Sequence, residues 1–171
     1  MADLQCAATL LIVRHGEAEY DSPRLEDSGG SLTVRGREQS RELARSLRER
    51  NVSIIYASSM ARAVQTAEIV AAELGVIVRV RDDLRERSAA ESSGQIVERM
   101  RAELESAADL HRGETVLFVS HGTAVGVSVP QVARNIPADY PEGRALANCD
   151  LVELAVDADG WVVRSWAGEP V

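Results

Sequence analysis

The stretch Thr9-Leu10-Leu11-Ile12-Val13-Arg14-His15-Gly16-Glu17 decides how this chain is read. Residues 9–13 are apolar or β-branched without polar alternation, which is the pattern of a strand buried on both faces of a parallel sheet. Arg14, His15 and Gly16 then fall just past the carboxyl end of that strand, where open parallel sheets collect their functional groups.

Outward from this stretch, strand and helix patterns alternate. Residues 20–31 are polar and include Pro23, Gly29 and Gly30, so a loop follows the first strand. Thr33 is placed to cap a helix through about residue 50, with Leu43 and Leu47 on its inner face. Residues 52–57 form a second strand. Ser58 or Ser59 then caps a helix whose apolar stripe holds Ala63, Ala67, Val70 and Leu74, and Gly75 is set to end it. Residues 76–80 read as a third strand, 81–94 as a polar loop and 95–108 as a helix. Residues 115–119 repeat the buried-strand pattern and run into Ser120-His121-Gly122, with Thr123 as the cap of another helix. Pro130 should kink or shorten that helix, and Pro137 should end it. Residues 151–156 and 161–166 flank a turn at 157–160 and read as a hairpin. The expected architecture is a three-layer α/β/α sandwich with a mainly parallel central sheet.

The 171 residues fit a single domain spanning 1–171, with no repeat or linker to divide it. A net charge of -8 and a pI near 4.9 argue against nucleic-acid or membrane-surface binding, which needs basic patches. They leave open a small anion held by a local arginine cluster. The apolar run at residues 7–13 is too short to span a bilayer and lacks a basic start, so a cytoplasmic location is expected. Cys6 and Cys149 form no spaced set and read as unpaired thiols, and no Cys/His cluster has metal-ligand spacing. No metal and no cofactor are expected.

Three strand ends carry residues suited to phosphate. The first delivers Arg14, His15 and Gly16; the second leads through Ser58 and Ser59 to Arg62 in a helix's first turn; the fourth delivers His121 and Gly122. Arginine presents a planar fork that binds two phosphate oxygens together, and helix N-termini add unpaired N–H groups. Such a field lowers a neighbouring histidine's pKa and favours a neutral imidazole that can attack phosphorus. Taken singly, each of these residues has an ordinary structural explanation; their joint occurrence at separate strand ends is what points to chemistry. His111, in a polar connector, reads as a surface residue.

As a set, these motifs resemble the histidine phosphatase, or phosphoglycerate mutase-like, superfamily. The resemblance rests on residues 11–17, on Leu32-Thr33 followed by Gly36, on residues 59–67, on Val119-Ser120-His121-Gly122 and on Asn148 before the late strand. It implies a compact phosphoglycerate mutase-like fold. It also implies His15 as a transiently phosphorylated nucleophile, with Arg14, Arg62, His121 and Gly122 around the phosphoryl group. Glu86, in Leu84-Arg85-Glu86-Arg87, best fits the family's proton donor, with Glu91 in reserve. A general acid is chemically sensible there, because an alkoxide leaves poorly unless protonated.

The chain departs from the family's pattern in three ways. Asp21 stands where many relatives have a phosphate-binding asparagine, the stretch after the donor is reduced to Ser92-Ser93-Gly94, and few residues separate Glu86 from the strand at Thr115. Mutases need a roof that keeps water from the intermediate, so its absence favours hydrolysis. The leading expectation is a phosphatase that hydrolyses a phosphomonoester of a small metabolite through a phosphohistidine intermediate, as a monomer or homodimer. A phosphohistidine (SixA-like) phosphatase acting on a phosphoprotein is the alternative. A catalytically weak phosphate-binding protein is the alternative of another class.

Overall fold

The structure is a computed structural model, and it describes residues 6–20 and 30–171. Asp21, Pro23 and Gly29 therefore lie outside the described residues. A seven-stranded sheet runs through the molecule. Its strands are β1 (Ala8–Arg14), β2 (Val52–Ser58), β3 (Val78–Arg81), β4 (Thr115–Ser120), β5 (Leu151–Asp157), β6 (Gly160–Trp166) and β7 (Glu169–Pro170), in the spatial order β3-β2-β4-β1-β5-β6-β7. The helices are α1 (Val34–Ser46), α2 (Ala61–Leu74), α3 (Ser93–Leu110) and α4 (Gly122–Val132).

β1 owes its central place to burial on both faces. Leu10 and Ile12 join a core cluster with residues of α3 and α4, while Leu11 and Val13 join a second cluster with α1 and α2. Three layers result, as the apolar run of β1 predicts. β3, β2, β4 and β1 are mutually parallel, whereas β5, β6 and β7 pair antiparallel, so the whole sheet is mixed. The parallel half is the one that carries the motifs. In the β1–β4 register Arg14 lies opposite Ser120, which brings the following residues, His15 and His121, side by side.

Several local expectations are corrected. The first helix does not run to residue 50: Leu47 N–H donates to both Leu43 and Ala44 carbonyls, and the chain tightens into a 3₁₀ turn at Arg48–Arg50. Neither Ser58 nor Ser59 is the N-cap of α2; Met60 is, and Ser58 instead turns toward His121. Thr123 lies inside α4, whose N-cap is His121. Pro130 is accommodated near the end of α4, which stops at Val132 before Pro137 is reached. His111 is not a plain surface residue: its ring lies edge-on to Tyr56, whose hydroxyl is 2.9 Å from Nε2, and its Nδ1 meets Glu114 at 2.8 Å. Thr33 caps α1 by accepting from Gly36 N–H, and Gly75 ends α2 with φ of 69°, both as expected.

Candidate active site

The carboxyl ends of β1, β2 and β4 and the first turns of α2 and α4 meet at one end of the sheet. His15 is pinned there through its backbone. Its N–H donates to Ser120 O at 3.1 Å, and its own carbonyl accepts from Asn148 Nδ2 at 3.0 Å. Gly16 donates to Thr66 Oγ1 at 3.0 Å and passes so close to α1 that an added Cβ would lie 2.6 Å from the Gly36 carbonyl oxygen. Gly36 is equally constrained, since its Cβ would fall 2.0 Å from Glu17 O. The two glycines of the motifs let the strand end and the helix start touch. Glu17 faces this contact rather than the cavity, with its carboxylate accepting from Thr33 Oγ1 at 2.8 Å.

The His15 ring is buried and its protonation is set by its neighbours. Nδ1 is 2.7 Å from Gly16 O, a carbonyl that can only accept, so Nδ1 carries the proton. Nε2 accepts from Arg62 Nε–H at 3.1 Å, so its lone pair is on the side of the guanidinium. The pKa of His15 falls from 6.5 to about 4. Burial is the largest cause, and the charges of Arg62 and Arg14 act in the same direction against the Gly16 hydrogen bond. The arginine field expected from the sequence is thus real but secondary to burial.

His121 packs edge-on against His15, with ring centroids 5.1 Å apart. It is wholly buried, and burial followed by the charge of His15 pushes its pKa well below the usual histidine range. Nε2 lies 2.8 Å from Ser58 Oγ, while Nδ1 has no hydrogen-bond partner among the described residues. A buried polar atom left in this state is costly unless something arrives to meet it.

Around these residues lies a cavity of about 900 Å³ whose wall includes Arg14, His15, Tyr20, Arg62, Glu86 and Gly122. His121 lies behind that wall rather than in it. Arg14 is oriented by Nη1 donating to Leu146 O at 2.6 Å, and an added Cβ on Gly122 would come within 3.4 Å of its Cδ. Arg62 stacks over the Tyr20 ring at 5.1 Å. Arg87 and Arg144 also reach the wall, with Glu86 as the carboxylate among the described lining residues, so these residues form a locally positive surface on a chain of net charge -8.

The model of the histidine phosphatase superfamily (branch 1) matches residues 10–95 and 87–168. The chain belongs to the histidine phosphatase superfamily. It is similar to the "Probable phosphoglycerate mutase GpmB" of Escherichia coli K12, at 26% identity over 193 residues covering 92% of this chain and 89% of that protein. Its fold is similar to that of a mycobacterial glucosyl-3-phosphoglycerate phosphatase, with a TM-score of 0.80, 20% identity and coverage of 94% of this chain and 99% of the other. It is also similar to the protein histidine phosphatase SixA, with a TM-score of 0.68, 23% identity and coverage of 92% and 94%. At these identities the structural likeness concerns the phosphoglycerate mutase-like fold.

Glu86 lines the cavity, and its carboxylate accepts from Ala124 N–H at 3.0 Å, Thr123 N–H at 3.4 Å and Arg87 N–H at 2.9 Å. The first turn of α4 therefore donates to Glu86, not to an empty anion site as the sequence suggested; an acidic side chain there also complements the helix dipole. Glu91, the reserve candidate, is turned away from the cavity. It forms a two-point ion pair with Arg99, at 2.6 Å and 2.9 Å, which holds its carboxyl below the usual range. Residues 87–92 alone separate Glu86 from α3, so no roofing segment is inserted there. The sequence offers Ser58 as a helix cap rather than as the partner of His121, gives Thr66 and Arg99 no role, and marks Asn148 without its bond to His15. Thr66 and Asn148 fell within the motifs; Ser58 and Arg99 gave no signal for these roles.

Proposed function

We propose that this member of the superfamily is a phosphomonoesterase acting on a small phosphorylated metabolite, with His15 Nε2 as the nucleophile. The observation that carries this reading is the His15 tautomer. Nδ1–H is committed to Gly16 O, and the Nε2 lone pair is presented beside Arg62 with the ring neutral above about pH 4. No base is needed to activate such a nucleophile.

In the proposed reaction the phosphoryl oxygens take the guanidinium groups of Arg14 and Arg62, which frees the Nε2 lone pair for in-line attack. His121, packed edge-on against His15 behind the wall, offers its unpartnered Nδ1 to a phosphoryl oxygen that reaches past the wall toward it. Ser58 Oγ accepts from Met60 N–H at 3.2 Å, which favours donation of its own proton to His121 Nε2 and leaves Nδ1–H as the donor. As the Nε2–P bond forms, the P–O bond to the leaving group breaks and Glu86 supplies the proton to the departing oxygen. The Glu86 carboxylate then takes a proton from water, whose oxygen attacks phosphorus and releases neutral His15 and phosphate. The lack of an inserted segment between Glu86 and α3 supports water as the acceptor, because nothing there roofs the intermediate against solvent. The placement of a carboxylate beside the cavity favours an ester over phosphohistidine, whose leaving imidazole needs less help. The reading treats the chain as one cytoplasmic domain, monomeric or dimeric; no helix among the described residues is long and apolar enough to cross a membrane.

The test is hydrolysis of p-nitrophenyl phosphate between pH 5 and 8 by the wild type and H15A, with and without EDTA. Turnover abolished in H15A and indifferent to EDTA is expected. Equal rates in both proteins would remove His15 as nucleophile, and phosphate binding without turnover in the wild type would mark a phosphate-binding protein instead.

A further inference from the structure

The loop that carries Glu86 begins on β3, a four-residue strand at the edge of the sheet, and so has sheet support on one side only. Its start is anchored: Leu84 is fully buried and its carbonyl accepts from Ser120 Oγ at 2.7 Å. Beyond Leu84 the backbone hydrogen bonds of the loop are local, Arg85 N–H to Asp82 O and Glu91 N–H to Ser88 O. One side chain from outside the loop crosses it. Arg99, on α3, donates Nε–H to Glu91 Oε1 at 2.6 Å and Nη2 to Glu91 Oε2 at 2.9 Å. Its Nη1 donates to Asp83 O at 2.6 Å and Arg85 O at 2.9 Å, and Nη2 reaches Glu86 O at 3.5 Å. A guanidinium has five N–H donors, and here five acceptors, all on the donor loop, meet them. The pair is also withdrawn from solvent, with side-chain exposures of 9% for Arg99 and 8% for Glu91.

We infer that Arg99, closed on Glu91, is a positioning residue that holds the loop so that the Glu86 carboxyl stays at the entrance of α4 beside the cavity. The inference rests on the reading of Glu86 as proton donor. It assigns no contact with substrate to Arg99 or Glu91. Three features separate it from a merely stabilising ion pair. The guanidinium binds the carbonyls of residues 83, 85 and 86, not only a carboxylate. Its planar fork spans Glu91 and these carbonyls at once, a geometry that a lysine ammonium cannot reproduce. The residue it brackets is the one whose displacement matters most for esters with poor leaving groups and least for esters with good ones.

Leaving-group dependence therefore supplies the test. Wild type, R99M, R99K, E91Q, E86Q and the double variant R99M/E86Q are compared by kcat and KM on p-nitrophenyl phosphate, phenyl phosphate and an alkyl phosphate, with thermal unfolding recorded for each. E86Q should lose about a hundredfold in kcat/KM on the alkyl ester and far less on the nitrophenyl ester, since kcat/KM reports the steps up to departure of the leaving group and not the water step shared by all esters. R99M should show the same selectivity at about tenfold in kcat/KM, because a misplaced acid still protonates the leaving group but less often. R99K keeps the charge without the fork and should not restore the alkyl ester, and the double variant should be no worse than E86Q alone.

A loss in R99M that is equal across all three esters would overturn the inference, pointing instead to the Arg99 charge, which also acts on His121. Full activity in R99K, or additive losses in the double variant, would overturn it as well. If R99M does not fold, E91Q carries the same comparison, and a loss that is absent or equal across the three esters in folded E91Q is equally fatal. A selective E86Q with an indifferent R99M removes the clamp and keeps the donor; an indifferent E86Q removes the donor reading and the clamp with it.

Discussion

The end of the cavity around His15 and the loop that carries Glu86 are built by different means. His15 follows the end of β1 and is held by its own backbone, which donates to Ser120 O and accepts from the Asn148 side-chain amide, over glycines that admit no side chain. Glu86 projects from a loop that leaves an edge strand and is bracketed by one guanidinium. The first arrangement is inherited from the sheet, so it survives most changes outside it. The second depends on contacts in which a side chain is always one partner, Arg99 on the loop carbonyls and the Glu86 carboxylate on the N–H groups of α4. Chemistry divides in the same way, because binding and attack are needed for every ester while protonation is needed in proportion to the leaving group.

Four experiments press on this contrast. The largest effect is expected for H15A, which should lower kcat on nitrophenyl and alkyl phosphates alike by about a thousandfold or more. A substrate-selective loss would mean that attack and protonation are not divided as described.

The next concerns stability against pH. The folded His15 pKa of about 4 lies below the ordinary 6.5, so between these values the unfolded chain binds a proton that the folded chain does not. Stability should therefore be flat above about pH 6.5 and fall as the pH drops toward 4, by roughly 3 kcal/mol from this group. The lowered pKa of His121 acts in the same direction. Urea unfolding at several pH values should show a shallower acid decline in H15N than in the wild type; an unchanged decline would mean that burial of His15 is not its source.

R62K comes third, with a loss of about a hundredfold in kcat/KM regardless of leaving group, since an ammonium cannot bind two phosphate oxygens in plane. Fourth, S58A should cost about tenfold in kcat with little change in thermal midpoint, by releasing the His121 tautomer. A loss confined to alkyl phosphates in either variant would place that residue with Glu86 rather than with the end around His15.

How much of this was legible along the chain follows the same division. Hydrophobic runs located β1, β2 and β4, and the residues just after them are the ones that converge, because strand ends in a parallel sheet are forced to one edge. The Leu32-Thr33 and Gly36 motif found its reason only in the fold, where Gly36 lets α1 touch the Gly16–Glu17 backbone. The capping serines were misread because Ser58 has two competing partners, the Met60 N–H and His121, and only the latter's position explains its orientation. Glu91 looked equivalent to Glu86 in sequence; the choice between them depends on where α3 places Arg99.

The sequence alone determined which strands are buried on both faces, hence the order of layers and the edge at which Arg14, His15, Arg62 and His121 would gather. These are consequences of periodicity and of a small set of local backbone geometries, and both can be read from neighbours along the chain. Only the tertiary structure decided that His15 presents Nε2, that His121 lies behind the cavity wall with an unmet Nδ1, and that Glu86 rather than Glu91 faces the cavity. Those outcomes depend on hydrogen bonds between residues far apart in sequence, whose geometry exists only once the helices have packed against the sheet.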